Sequence, residues 1–132
     1  MILKKKLLFN MDSKFYVPLE AAKLLKEKGY DRECVAYYQH EIFHPYSVHL
    51  FGSKTYNKND APDYMNQYSA PTKAEAIDWL ESKGMCIVVI RRTIDNEVGW
   101  RYVIYNQTEI ISGFSTRLEA EEAAIIKALE LL

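Results

Sequence analysis

Three stretches of the chain carry apolar residues at the three- and four-residue spacing of an amphipathic helix. The predicted helices cover residues 18–29, 72–84 and 116–132. The first two end at Gly29 and Gly84, and glycine is the residue most often found just after a helix. The second and third begin with a threonine that is followed three residues later by a glutamate, a capping-box pattern that fixes a helix start.

Between the predicted helices, the pattern changes to short apolar and aromatic runs that are separated by turn residues. Segment 34–52 is rich in aromatic and β-branched residues, which predicts two strands or a hairpin. After the second helix come three further runs separated by polar turns, the first turn lying at Asp95 and Asn96, and they predict an antiparallel meander. Its predicted strands are 85–92, 97–106 and 109–114.

This order of elements predicts an α+β fold, with the helices packed on one face of an antiparallel sheet of four to six strands. From residue 72 onward the order is α-β-β-β-α, a topology that double-stranded RNA-binding domains also use. Gly84 follows Gly29 at an offset of 55 residues, and other positions of the two helices match at the same offset. A decayed duplication over 15–52 and 71–132 is one interpretation, and a chance likeness between two amphipathic helices is the other.

Length and charge add a domain hypothesis. A chain of 132 residues is long enough for one globular domain, which we expect over 15–132. Lysines at positions 4, 5 and 6 predict a flexible basic N-terminal segment over 1–14. The polar stretch 53–71 contains two prolines and predicts a long surface loop. No apolar run has the length of a signal-peptide core or a membrane helix, so we expect a cytoplasmic protein without membrane contact.

Four segments carry a family resemblance that extends from about residue 15 to the end of the chain. They read PLEAAKLLKEKGYDRECVAYY, APTKAEAIDWL, WRYVIYN and STRLEAEEAAIIKALELL. Together they resemble a family of small uncharacterised proteins found in phages and mobile elements of gut Bacteroidetes. The shared positions are helix caps and core residues. The resemblance therefore implies a compact accessory protein, and it implies no catalytic or binding residue.

One segment, QHEIFHPY at 39–46, contains the H-E-x-x-H pattern of zinc peptidases, with His40 and His44 as its histidines. That zinc site requires a helix, because helical spacing brings both imidazoles to one metal. Pro45 disfavours helical geometry at the residue before it, and in a strand the two histidines lie about 13 Å apart. A zinc hydrolase is therefore a remote alternative, which requires a hairpin that brings the histidines together. We expect neither a metal nor a cofactor.

The sequence also lacks a glycine-rich phosphate loop, a G-x-S-x-G elbow and a C-x-x-C pair. The expected role is therefore that of a non-enzymatic accessory protein that acts by protein–protein contact, with a protein partner or as a homo-oligomer. Strand alternation places Trp100 and Tyr102 on one face of the meander and Arg101 on the other. Candidate contact residues are Tyr37, Tyr38, Tyr46, Arg91, Arg101 and Tyr105.

Nucleic-acid binding is the alternative function, because lysines and arginines neutralise phosphates. The start of the last predicted helix argues against double-stranded RNA as the ligand, since Glu119, Glu121 and Glu122 would repel its backbone. The residues that would serve a nucleic-acid site are Lys4, Lys5, Lys6 and the sheet arginines Arg91, Arg92 and Arg101.

Overall fold

The computed structural model describes residues 13–45, 47–49, 52–54, 56–105, 107 and 109–132. They form two compact units, of which the first ends at Thr72 and the second begins at Lys73. The expected N-terminal segment 1–14 lies outside the described residues except for its last two positions, and Tyr46 lies outside them as well. The single domain expected over 15–132 stays a prediction.

The first unit contains one helix and five short strands among its described residues. They are α1 (Leu19–Glu27), β1 (Tyr37–Gln39), β2 (Ile42–His44), β3 (Ser47–His49), β4 (Gly52–Lys54) and β5 (Gln67–Ser69). Strands β2, β1 and β5 form an antiparallel sheet in that order, and β3 pairs with β4 in a separate ribbon. Helix α1 packs on β5 and buries Ala21, Ala22 and Leu25.

The prediction of a surface loop over 53–71 was wrong, because this segment contains β5 and two short 3-10 turns. Its polar side chains bind inside the first unit. The side-chain amide of Asn59 donates to the carbonyl of Tyr30 at 2.9 Å, and its oxygen accepts the amide of Ser69 at 2.9 Å. Lys26 of α1 donates from Nζ to the carbonyl of Gln67 at 3.2 Å. The polar composition of segment 53–71 therefore reflects hydrogen bonds within the first unit and not only exposure to solvent in a loop.

The second unit follows the predicted order of elements. It consists of α2 (Lys73–Ser82), β6 (Ile87–Ile94), β7 (Glu97–Ile104), β8 (Ile110–Phe114) and α3 (Arg117–Leu131). The three strands form an antiparallel sheet with β7 in the centre. Helix α3 packs on all three strands, and α2 packs on α3 and β6.

The α+β class is therefore confirmed, with helices packed on antiparallel sheets. In place of one sheet of four to six strands, the described strands are divided between two three-stranded sheets and a two-stranded ribbon. Likeness to double-stranded RNA-binding domains beyond the shared order of elements stays a prediction. None of the helices in the described ranges combines the length and the apolar character that a membrane crossing requires.

Local signals explain where the helices begin and end. Gly29 and Gly84 both have φ of 89°, a left-handed conformation that favours glycine, so each ends its helix as predicted. At the start of α3, the Thr116 side chain accepts the amide of Glu119 at 3.2 Å. The carboxylate of Glu119 in turn accepts the amide of Ser115, the residue before the cap, at 3.3 Å, so both side chains of the predicted pattern bond to backbone amides at the helix start.

Candidate functional site

The H-E-x-x-H segment forms a hairpin whose turn consists of its first two residues. His40 and Glu41 connect β1 to β2 with φ of 49° and 67°. Positive φ at both central residues is the geometry of a type I′ turn. His44 lies further along β2, paired with Tyr37, and its ring stacks on the tyrosine ring with centroids 4.8 Å apart.

The hairpin that would unite the two histidines is thus present, but it turns at His40 itself. One imidazole lies at the tip of the turn and the other lies on β2, so the histidines do not face each other across the two strands. Within the ranges that the structure describes, no group of three or more His, Cys, Asp and Glu side chains is placed to hold a metal ion.

The predicted tyrosine surface of the first unit is divided between two sides of β1. Tyr38 is half-buried and its hydroxyl donates to the carbonyl of Val17 at 2.8 Å, which makes it part of the packing. Tyr37, the neighbouring residue, points to the opposite side. Its ring is stacked on one face by His44, and the ammonium of Lys58 lies 4.6 Å from its centroid. Both tyrosines therefore already make contacts within the first unit.

The second unit has one sheet face that carries α3 and an opposite face, which we call the open face. Tyr102 and Ile104 are buried, so their side of β7 is the helix-bearing side, and the two residues share a face as the alternation predicted. The register of the three strands gives the other side. The open face consists of Val88, Ile90, Arg92 and Ile94 of β6, Glu97, Gly99, Arg101 and Val103 of β7 with the following Tyr105, and Ile110 and Ser112 of β8.

One half of the open face is apolar and exposed. Val88 is 45% exposed, Ile110 is 52% exposed and Tyr105 is 65% exposed. Their neighbours Ile90 and Val103 are half-buried and lie between them. Scattered exposed apolar residues are common, but a contiguous group on one sheet face is typical of a contact surface.

The other half of the open face borders a cavity of about 450 Å³ that is open to solvent near the β6–β7 turn. Gly99 lies opposite Arg92 in the register, and no atom lies within 4 Å of the position that a Cβ on this glycine would occupy. The missing side chain thus leaves a depression among larger neighbours. The cavity is lined by Arg92, Ile94, Asp95, Glu97, Val98, Gly99, Trp100, Arg101, Ser112 and Gly113.

Arg101 is the polar group in this cavity whose hydrogen bonding is incomplete. Its Nε is buried and has no hydrogen-bond partner among the residues that the structure describes. Ser112 lies directly across from it on β8, and Arg92 lies on the neighbouring β6. Neither guanidinium forms an ion pair with a carboxylate in the described part of the chain, although Asp95 and Glu97 also line the cavity.

The three sheet arginines do not form a single patch. Arg91 pairs with Trp100, so it points to the helix-bearing side of the sheet, whereas Arg92 and Arg101 lie on the open face. Of the residues predicted for the sheet surface, Arg101 and Tyr105 share the open face and Arg91 lies opposite them.

On the helix-bearing side, Tyr102 serves the core of the second unit. Burial raises the pKa of Tyr102 above its ordinary value of 10.0, and the carboxylates of Glu109 and Glu130 raise the pKa further. Its ring lies 5.8 Å from that of Phe114. Burial and the two carboxylates thus favour the neutral hydroxyl over the ionised form, as suits a side chain packed beneath a helix.

Sequence reasoning missed the residues that shape the cavity, namely Gly99 and Ser112. A glycine inside a strand pattern signals a bulge or an open position on the sheet, and Gly99 within EVGWRYVI was such a signal. Gly113 gave the same signal for β8, where φ is 102° beside an irregular pairing. Ser112 has no sequence signal of its own and is found only through the register.

Comparison of the chain with protein-family models, with curated proteins and with solved structures gives no match. The family resemblance of the four quoted segments therefore stays a prediction.

Proposed function

We propose that this chain is a small non-enzymatic accessory protein of a phage or mobile element and acts by protein–protein contact through the open face of its second unit. The observation that carries the proposal is the exposed apolar half of that face, where Val88, Ile110 and Tyr105 surround half-buried aliphatic residues. Burial of such a group against a partner releases water from apolar surface, which is the main favourable term in protein association.

The edge strand β6 supports the same proposal. It is eight residues long, it borders the open face, and among the strands that the structure describes it pairs only with β7. An exposed edge strand with aliphatic side chains can pair with a strand of another chain, since its outward backbone groups lack ladder partners. A second copy of the chain supplies such a strand, so self-association is the first form of contact to measure.

Native mass measurement over a wide concentration range tests this function. We expect wild-type protein to form a dimer or a larger oligomer, and Val88→Lys to shift the mass toward the monomer by placing a charge in the contact. Val98→Lys is the matched control, because Val98 is 47% exposed and lies on the helix-bearing side of the same hairpin. A strictly monomeric wild type, with both variants equally soluble, would contradict the proposal.

The nucleic-acid alternative has weaker support. The three lysines that would serve it lie outside the described residues, and the sheet arginines are divided between two faces. Arg92 and Arg101 also share their cavity with Asp95 and Glu97, so the formal charge of these four side chains sums to zero. A neutral site has little attraction for a polyanion.

A further inference from the structure

We propose that the cavity at Gly99 is a binding site for a single carboxylate group. This inference is independent of the protein-contact proposal, because it concerns the charged half of the open face and not the apolar half. The observations that carry it are two arginines that line one cavity without an ion pair among the described residues, a serine beside them, and the open space next to Gly99.

Arg101 is the first donor of the proposed site. A buried guanidinium N–H without an acceptor is unfavourable, since the group has lost water and gained no replacement. The cavity that this side chain lines is large enough for a small anion. The terminal N–H groups of the same guanidinium lie beyond Nε on the side chain that lines this cavity, and an oxyanion there would accept from them.

Arg92 and Ser112 supply further donors to the cavity. Arg92 of β6 and Ser112 of β8 lie on either side of β7 and line the same cavity, so donors from all three strands surround Gly99. A guanidinium presents a planar fork of N–H groups that matches the two oxygens of a carboxylate. The serine hydroxyl supplies an additional donor.

The charge of the side chains that line the cavity favours a carboxylate over phosphate. Two arginines and two acids, Asp95 and Glu97, line the cavity, so these four side chains are neutral overall before a ligand binds. A phosphate dianion would bring two negative charges close to these acids, whereas a carboxylate brings one. Ile94 adds an apolar wall, which suits the carbon atoms that a carboxylate carries and inorganic phosphate lacks.

The site is tested by titrating ¹⁵N-labelled protein with sodium acetate at ionic strength held constant with sodium chloride. The readouts are the amide resonances of Gly99 and Gly113 and the Nε–H resonance of Arg101. We expect saturable shifts with acetate and weaker binding of inorganic phosphate. Shifts that grow linearly without saturation, or tighter binding of phosphate than of acetate, would overturn the carboxylate assignment.

Two arginine variants and one control variant locate the site. Arg101→Gln and Arg92→Gln should each weaken acetate binding about tenfold or more, because each removes a charged hydrogen-bond donor. Arg91→Gln is the matched control, since this arginine lies on the opposite face, and it should leave the affinity unchanged. Equal affinities in Arg91→Gln and Arg101→Gln would overturn the proposal.

Gly99→Val keeps every charged group and fills the depression instead. Space for a Cβ is free at this position, and valine suits a strand, so the variant should fold and lose acetate binding. Retained binding in a folded Gly99→Val would place the anion elsewhere and overturn the proposal.

Triglycine and triglycinamide distinguish the source of the carboxylate. Tighter binding of triglycine than of acetate, lost in the amide, indicates a polypeptide terminus, whereas equal or weaker binding indicates a small free acid.

Discussion

The two units share a local design of helix, glycine and two-residue hairpin, and they differ in where the third strand pairs. Gly29 and Gly84 end their helices with the same φ of 89°. The two hairpin turns, His40–Glu41 and Asp95–Asn96, follow at the same offset of 55 residues and have nearly equal φ values. In each unit the amide after the glycine donates over 2.9 Å to a leucine carbonyl five residues earlier, Tyr30 to Leu25 and Met85 to Leu80.

The third strand separates the two units. In the first unit β5 pairs with β1, the first strand of the hairpin, and the outer hairpin strand β2 has three residues. In the second unit β8 pairs with β7, the second strand of the hairpin, and the outer hairpin strand β6 has eight. The side on which the third strand pairs therefore decides which strand of the hairpin becomes the edge of the sheet. Among the described strands, only the second unit has a long hairpin strand at the edge of its sheet. The duplication that this likeness suggests stays a prediction.

The largest expected effect tests what holds the third strand in the first unit. Asn59→Ala leaves the buried amide of Ser69 without its acceptor and the carbonyl of Tyr30 without its donor. We expect the free energy of unfolding to fall by about 3 kcal/mol. Asn59→Asp keeps the acceptor for Ser69 but sets a carboxylate oxygen against the carbonyl of Tyr30, so it should also destabilise the protein. Urea denaturation gives both values, and hydrogen exchange at Ser69 shows whether β5 is the part released. Equal stability of wild type and Asn59→Ala would mean that β5 is held by its pairing with β1 alone.

This contrast also explains which parts of the molecule the sequence predicts. The helices and the meander follow from periodicity and from local stop signals such as Gly84 and the Thr116 cap, which act within a few residues. Strand β5 does not, because its neighbour β1 lies 28 or more residues earlier and Asn59 holds it through contacts remote in sequence. A polar segment with two prolines gives no local sign of such pairing.

The candidate site could be predicted only in part, because some of its features follow from the local pattern and others depend on pairing between strands. Alternation along β7 correctly placed Tyr102 and Arg101 on opposite faces, but it did not say which of the two faces packs on the helices. The cavity needs three strands in register, and the partner of Arg101 on β8 depends on an irregularity in the pairing of β7 with β8. Residue spacing within one segment contains no information on that partner, so the sequence could not predict that Ser112 lies opposite Arg101.

A smaller effect tests whether the two helix ends are equivalent. Gly29→Ala and Gly84→Ala each force a side chain into a left-handed conformation at φ of 89°, and each should lower the free energy of unfolding by about 1–2 kcal/mol. Gly99→Ala is the control, because its backbone is not left-handed and a Cβ there meets open space. Urea denaturation of the three variants measures the costs. A cost for Gly99→Ala as large as the other two would show that the left-handed geometry of the helix ends is not the cause, since the loss of chain flexibility alone stabilises the folded state.

The smallest effect tests the one respect in which the two turns differ, their residue types. Glu41 has φ of 67° and Asn96 has φ of 66°, but asparagine tolerates this conformation better than glutamate does. Glu41→Gly should therefore stabilise the protein by about 1 kcal/mol, and Asn96→Gly by roughly a few tenths of that. Urea denaturation measures both free energies of unfolding.

The comparison between these two turns also decides how the H-E-x-x-H pattern is to be understood. Glu41→Gly removes an exposed ion pair with Lys23, at 3.7 Å, which contributes little in water and should not mask the relief of the turn. If glycine at position 41 stabilises the protein more than glycine at position 96, the glutamate of the pattern occupies a strained turn position. If the two substitutions have equal effects, the glutamate is not strained there, and the geometric explanation of the first turn fails.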